Sequence, residues 1–186
     1  MIVAFIYYMG LLLVFTHPTN LGIRHSHKYT TTATGGGFLS QIKFYLAFEN
    51  IPGSLTIRGR YKIKSLVNIK KVDGDLAFLG SEINDLGKLQ IVTGSFWIGQ
   101  FSPFTNLQDL NDLEFVGKDL YLKGSPIKGL KKLKRVGGTL NLRGTKVESL
   151  GLLEYVGGNL YLPKELKGKF DLSNIIIKRN VRYYSS

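Results

Sequence analysis

Residues 138–157 read GTLNLRGTKVESLGLLEYVG, and this phrase decides the fold because its pattern occurs six times along the chain. Residues 118–137, KDLYLKGSPIKGLKKLKRVG, place apolar residues at the same offsets. The copies are spaced 21, 20, 24, 20 and 20 residues apart, and they start at Gly53, Gly74, Gly94, Lys118, Gly138 and Gly158. A fixed period of this length is typical of a solenoid and not of a globular enzyme.

Each copy combines two apolar patterns. Leu140 and Leu142 alternate with polar residues, and such alternation predicts a short strand with one buried face. From Val147 to Val156 apolar residues recur about three apart, which predicts a tight helical or 3₁₀ return segment. The expected fold class is an α/β solenoid, a stack of about six coils of 20–24 residues that have short parallel strands and share one apolar column.

The stretch from Phe48 to Phe170 resembles the leucine-rich repeat family, in a short variety similar to the receptor L-domain type and to short repeats of bacterial and phage proteins. The resemblance implies a platform for binding and scaffolding whose partners are diverse. The chain departs from the family pattern. Gly-Thr or Gly-Ser replaces the usual asparagine after the strand, so no asparagine ladder is expected; the third copy has four extra residues near Phe101–Phe104, and the sixth loses the pattern after Leu162.

Composition shifts divide the chain into five segments. They are an apolar segment (1–16), an extended linker (17–37), an N-terminal cap (38–52), the leucine-rich repeat solenoid (53–174), and a C-terminal cap strand with a basic-aromatic tail (175–186). Three interpretations of residues 1–16 stay open: a helix or strand that docks into a larger assembly, a membrane anchor, or a cleaved signal.

Charge and cysteine content narrow the function. The chain has 25 Lys and Arg against 13 Asp and Glu, a net charge of +12, and it has no cysteine. The absence of cysteine excludes disulfides, thiolate catalysis and cysteine-based metal sites. A basic solenoid with a basic tail indicates a polyanionic partner, either nucleic acid or an anionic membrane surface. The alternative is that the lysines only keep the surface soluble.

The outward positions of the short strands predict a binding ladder. It consists of Arg58, Trp97, Tyr121, Lys123, Arg143 and Tyr161. Aromatic rings can stack on bases while Arg and Lys hold phosphates. The alternative is cross-strand packing of the aromatic rings, which needs no ligand.

A second set of basic residues flanks this ladder. The basic flanks are Arg60, Lys62, Lys64, Lys70, Lys71, Lys128, Lys131, Lys132, Lys134, Arg135, Lys178, Arg179 and Arg182. Such density is typical of phosphate contacts that position a protein without reading sequence. A solvated face without a partner is the alternative.

Reactive chemistry is sparse in this sequence. The only histidines, His17, His25 and His27, lie in the linker without a carboxylate or thiol nearby, and Gly35–Gly37 lacks the Lys-Ser/Thr of a phosphate loop. We therefore predict no catalytic residue, no metal, no cofactor and no small-molecule substrate.

The predicted function is a non-enzymatic leucine-rich-repeat scaffold of a large assembly that contacts RNA in a ribonucleoprotein, such as an organellar or specialised ribosome. Its expected partners are RNA and neighbouring protein subunits, with the membrane as a further partner through residues 1–16. The expected location is inside a cell or an organelle such as the mitochondrion, in preference to outside the cell. The alternatives are a membrane-anchored or exported module that binds a protein or glycan, and a viral or phage structural component.

Overall fold

The computed structural model describes residues 49–58, 63–98 and 106–185, together with the backbone of three short strands within 5–32. In chain order the strands are β1 (Phe5–Tyr8), β2 (Leu11–Val14), β3 (Thr30–Thr32), β4 (Asn50–Ile51), β5 (Ser54–Arg58), β6 (Lys71–Val72), β7 (Leu76–Leu79), β8 (Ile91–Val92), β9 (Phe96–Ile98), β10 (Phe115–Val116), β11 (Leu120–Tyr121), β12 (Arg135–Val136), β13 (Leu140–Asn141), β14 (Tyr155–Val156), β15 (Leu160–Pro163), β16 (Ile176–Ile177) and β17 (Val181–Tyr184).

These strands build a parallel β-solenoid with two sheets. The eight odd-numbered strands from β3 to β17 form one sheet in chain order, which we call the ladder sheet, and the seven even-numbered strands from β4 to β16 form the other, the return sheet. β1 and β2 pair separately as an antiparallel hairpin. Equivalent residues of successive copies stand opposite each other, as Leu120, Leu140 and Leu160 do. The predicted repeat solenoid with short parallel strands is confirmed.

The core is a continuous column of apolar side chains between the two sheets. Leu66, Leu86, Leu110 and Leu130, which occupy one position of successive coils, are completely buried. Phe78 and Phe96 pack edge to face, with ring centroids 5.2 Å apart. Because each coil covers the apolar side of the next, no coil could bury its leucines alone.

The return segments differ from the expectation of a helical or 3₁₀ turn. Within the described ranges there is no α-helix, and a three-residue 3₁₀ helix at Lys164–Leu166 follows β15. Each return segment closes one turn, as in the bond from Leu89 N to Leu86 O (3.2 Å), and then runs extended. Its next amides bond to the preceding coil instead, as Gln90 N does to Lys70 O (2.9 Å). The helical half of the α/β label is therefore not confirmed.

Each coil contains a tight turn between its ladder strand and its return strand. Val67, Gly87, Asn111, Lys131 and Gly151 hold the same place in successive coils, and all have positive φ, between 45° and 59°. The residue two positions earlier accepts a hydrogen bond from the amide of the turn residue in four of these coils. These acceptors are Ser65, Asp85, Asp109 and Ser149. In the remaining coil, the fourth, the residue two positions before Lys131 is Gly129, which has no side chain to accept this bond.

A polar column links the coils just before each ladder strand. Ser54 Oγ accepts from Asp75 N (2.9 Å), and Asp75 Oδ1 accepts from Ser95 N (2.8 Å). Further along, Asp119 Oδ1 accepts from Thr139 N (2.7 Å). This column satisfies backbone donors at the coil corner, as an asparagine ladder would, with serine and aspartate at a different position.

Several predicted segments lie mostly outside the described residues. Of the apolar segment 1–16 the structure describes the strands β1 and β2, of the linker 17–37 it describes β3, and of the cap 38–52 it describes residues 49–52. β3 pairs with β5 at the start of the ladder sheet. The three histidines, the Gly35–Gly37 stretch and the Phe101–Phe104 insertion are outside the described residues. Among the helical elements that are described, none has the length and apolar character needed to cross a bilayer.

Candidate binding strip on the ladder sheet

The register of the ladder sheet brings the predicted aromatic residues into one outward row. Tyr121 of β11 stands opposite Trp97 of β9 and Asn141 of β13, and Asn141 stands opposite Tyr161 of β15. Neighbouring rungs of a parallel sheet are about 4.8 Å apart. Since residues alternate between the faces of a strand, this row lies opposite the buried leucines.

The N-terminal half of the row is a stacked aromatic pair. The rings of Trp97 and Tyr121 are nearly parallel, at 7°, with centroids 6.3 Å apart. The Tyr121 hydroxyl donates to Asp119 Oδ2 (3.3 Å). Burial raises the pKa of the Tyr121 phenol above its usual value, and the neighbouring Asp119 carboxylate raises it further. The phenol is therefore a neutral hydrogen-bonding group at physiological pH.

The C-terminal half of the row surrounds a guanidinium group. The Cζ atom of Arg143 lies 5.3 Å from the ring centroid of Tyr161 and 4.8 Å from that of Tyr184, which are cation–π distances. The two tyrosines meet edge to face with centroids 5.5 Å apart. Arg143 Nε also donates to Asn141 Oδ1 (3.2 Å). These contacts hold Arg143 in place beside the aromatic row.

Five of the six predicted ladder residues lie on adjacent coils of the ladder sheet. Trp97, Tyr121, Lys123, Arg143 and Tyr161 form what we call the binding strip, and Lys123 is half-buried without an ion pair in the described part of the chain. Arg58 is exposed at the end of β5. It is three rungs away from Lys123, or roughly 14 Å, so it does not belong to the strip.

The basic flanks are less available than the sequence implies, because five of their lysines form ion pairs. The pairs are Lys70–Glu49 (2.9 Å), Lys71–Asp73 (2.6 Å), Lys131–Asp109 (2.8 Å), Lys132–Asp112 (2.7 Å) and Lys134–Glu114 (2.9 Å). Four of these lysines bind an acid about one repeat earlier in the chain. Exposed pairs of this kind stabilise a fold only weakly, but they cancel charge locally. Phosphate contact by the basic flanks stays a prediction.

The other described flank residues take part in none of these five ion pairs. Arg135 stacks on Tyr155 of the return sheet, with its Cζ atom 3.9 Å from the ring centroid. Lys64 and Lys128 are exposed and have no ion pair within the described ranges, and the same holds for the C-terminal cations Lys178, Arg179 and Arg182. Arg60 and Lys62 fall outside the described residues.

Comparison with known proteins gives no relative. No family model, no curated protein and no solved structure matches this chain.

Sequence reasoning missed two members of the site. Asn141 occupies an outward position of the ladder, yet it is only 3% exposed because Arg143 covers it. The sequence predicts Tyr184 in a basic-aromatic tail, but β17 adds it to the ladder sheet opposite Pro163. The alternation of Val181 and Tyr183 with Arg182 and Tyr184 was the signal for this last strand.

Sequence reasoning also missed a second outward row, on the return sheet. Ile91, Phe115 and Tyr155 are half-buried there, and Ile176 is 58% exposed. Ile91, Phe115 and Tyr155 each precede a buried valine, such as Val92 after Ile91, so strand alternation is the available signal.

Two further features of the described surface bear on chemistry. A depression of about 380 Å³ lies near the C-terminal end, and its lining includes Leu150, Leu153 and Phe170 together with the charged Lys169 and Asp171. No group of three or more metal-ligating side chains is assembled within the described ranges.

Proposed function

We propose that this chain is a non-enzymatic, leucine-rich-repeat-like scaffold that contacts RNA within a larger ribonucleoprotein assembly. The observation that carries the proposal is the binding strip, where a row of aromatic rings lies beside Lys123 and Arg143, two cations without an ion pair in the described part of the chain. Bases can stack on the rings while Lys123 and Arg143 hold phosphates.

The distribution of charge supports an RNA contact at one part of the surface, and not over the whole surface. Five flank lysines are neutralised by neighbouring acids, so the net charge of +12 rests on the other cations. Residues 163–186 carry six basic residues against two acidic ones. Phosphates would therefore meet uncompensated positive charge along the strip and the adjoining C-terminal coil.

The return sheet supports the second part of the proposal, a contact with neighbouring protein subunits. Its outward row contains Ile91, Phe115 and Tyr155, beside the exposed Ile176. Aromatic and aliphatic residues flanked by charged pairs are the usual composition of a protein interface. The scaffold would then bind RNA on one sheet and protein on the other.

Salt dependence of RNA retention tests the proposal. Binding of a single-stranded RNA should weaken from low to moderate ionic strength, and the slope of log K against log salt counts phosphate contacts at about 0.7 per contact. Lys123→Met should reduce this slope by roughly that amount, because it removes one contact. Lys132→Met is the matched control, since Lys132 is already paired with Asp112. Absence of salt-dependent retention, or equal slopes for the two variants, would refute the proposal.

A further inference from the structure

The C-terminal end of the solenoid exposes apolar residues at positions that the preceding coil buries. Val181 and Tyr183 stand opposite Leu160 and Leu162. Leu160 and Leu162 are at most 1% exposed, whereas Val181 and Tyr183 are half-buried. Five more residues of the last coil pack against the core and stay half-buried, namely Leu166, Phe170, Leu172, Ile175 and Ile177. Within the described part of the chain no further coil covers them, although solenoid stability depends on each apolar face being covered by a neighbour.

The same end has an open sheet edge. β17 is the last strand of the ladder sheet and pairs with β15 alone. Across this pair Leu160 N donates to Asn180 O (2.9 Å). Val181 and Tyr183 hold the positions of Leu160 and Leu162 one coil later, so their N–H and C=O groups point away from β15. These donors and acceptors meet no strand within the described ranges.

Neither proline nor an inward charge protects this edge. Exposed edge strands are commonly blocked by one of these devices. The strand Val181–Tyr184 contains no proline. Its charged residue, Arg182, stands opposite Tyr161 and therefore belongs to the outward row of the ladder sheet. The geometry of β17 thus permits pairing with a further strand.

The charges around this edge select the partner. Arg182 points outward, Lys178 and Arg179 lie at the corner before β17, and all three are exposed without an ion pair in the described ranges. Two such ends brought together would place like charges side by side, which disfavours a second copy of this chain as the partner. A strand with acidic outward residues would instead face Arg182, and opposite charges across a strand pair attract.

A polypeptide satisfies this surface better than RNA does. A phosphate can accept from the cations and from the outward N–H groups, but it offers no donor to the C=O groups of Val181 and Tyr183. It also leaves the apolar residues uncovered. An extended peptide supplies donors and acceptors at the spacing of a strand, together with apolar side chains on alternate residues. The observations therefore favour a protein segment.

We propose that the C-terminal end of the solenoid binds an extended segment of another protein, which adds a strand to β17. Its apolar side chains face inward and cover Val181 and Tyr183. Its acidic side chains face outward, beside Arg182 and the corner cations. This inference goes beyond the proposed function, because it concerns neither the binding strip nor the return sheet and needs no RNA.

A synthetic strand tests the proposal. The probe is a short fluorescent peptide in which glutamate and valine alternate, and fluorescence anisotropy measures its affinity for the full-length protein. A peptide in which lysine replaces glutamate should bind about tenfold more weakly or less, because like charges then meet at the edge. Equal affinity for the two peptides, or no binding of the glutamate peptide, would overturn the proposal.

Variants of β17 locate the contact. Val181→Pro removes an outward N–H at the first residue of an edge strand, where proline is tolerated. It should weaken peptide binding about tenfold, because a C=O group of the peptide loses its donor. Val181→Thr is the matched control, since it keeps the N–H and the shape of the side chain, and it should bind like the wild type. Equal binding by the two variants would contradict pairing at β17.

The charge contribution has its own pair of variants. Lys178→Met should weaken binding about threefold through the loss of one exposed charge. Lys128→Met removes a cation that is equally exposed and unpaired but belongs to the fourth coil, and it should leave peptide binding unchanged. Weaker RNA retention by Lys178→Met without any peptide binding would assign this end to RNA and overturn the proposal.

A second measurement leaves the protein unchanged. A strand pairs along one edge through the N–H groups of alternate residues. N-methylation of all valines in one peptide and of all glutamates in another should therefore abolish binding in only one of the two cases. Equal effects of the two modifications would overturn strand addition, whereas the RNA contact of the binding strip would be unaffected.

Discussion

A serine in place of Gly129 is predicted to raise the free energy of unfolding. In four coils a serine or aspartate accepts a hydrogen bond from the amide two residues later, as Ser149 Oγ does from Gly151 N (3.0 Å). Gly129 occupies this place in the coil that contains Lys131, so the Lys131 amide has no such acceptor. Gly129 does not have positive φ, and a Cβ added there would meet no heavy atom within 4 Å.

The substitution Gly129→Ser should therefore stabilise the protein through two effects. Removing the freedom of glycine from the unfolded chain contributes about 0.4–1 kcal/mol at a compatible position. The new hydroxyl can accept from Lys131 N, and such a bond contributes about 0.5–1.5 kcal/mol. The expected total is about 1–2.5 kcal/mol. Gly129→Ala is the matched control, because it has the first effect without the second.

Urea unfolding followed by circular dichroism measures the difference between these variants. With a slope of about 2 kcal/mol per molar, a gain of 1 kcal/mol moves the midpoint by roughly 0.5 M. We expect the midpoint to rise from wild type to Gly129→Ala and again to Gly129→Ser, at a constant slope. If the serine variant is no more stable than the alanine variant, the turn hydrogen bond does not stabilise the coils as we infer.

Three further predictions concern the same solenoid. Val67→Asn should stabilise by about 1 kcal/mol in urea unfolding, because Val67 is β-branched at φ 51° and asparagine tolerates this conformation; a loss of stability would contradict the assigned turn. Leu130→Ala should lower the free energy of unfolding by about 2–5 kcal/mol, because Leu130 is completely buried. Leu152 is 55% exposed, so Leu152→Ala should change the free energy of unfolding by less than about 0.5 kcal/mol. Equal losses for the two variants would contradict the assignment of Leu130 to the core. The Ser65 hydroxyl lowers the pKa of Asp85, so the ionised Asp85 carboxylate stabilises the fold. This stabilisation is complete above the pKa of Asp85 in the unfolded chain and is lost as the pH falls through its lower pKa in the folded protein. Asp85→Asn should make the free energy of unfolding depend less on pH in this range, and an unchanged pH profile would exclude this contribution.

The repeat period made the main features of the fold predictable. Leu140 and Leu142 marked a strand through alternation, and the constant spacing required that equivalent strands align. The return sheet could not be derived in the same way. The interval of three between Leu150, Leu153 and Val156 fits a helical turn, but it also fits one tight turn followed by a strand. The choice between a helix and a turn followed by a strand is decided by hydrogen bonds to the adjacent coil. The sequence of one repeat carries no information on those bonds.

The candidate site was predictable in five of its members, whereas Asn141, Tyr184 and the contacts among the members were not predicted. The outward aromatic residues followed from strand alternation alone. The pairing of Lys132 with Asp112 depends on their separation of one repeat, which places them on adjacent coils. Charge counts along the sequence therefore do not show which flank lysines are paired with an acid. The contact between Arg143 and Tyr184 depends on the last ladder strand, β17, which the repeat pattern no longer marks.

The most direct measurement of the central claim is ultraviolet crosslinking of the protein to single-stranded RNA, with the attached peptides identified by mass spectrometry. We predict crosslinks on the ladder sheet at Trp97, Tyr121 and Tyr161. The return-sheet residues Phe115 and Tyr155 serve as an internal control of similar chemistry and exposure. Crosslinks concentrated on the return sheet, or none on the ladder sheet despite binding, would contradict an RNA contact at the binding strip.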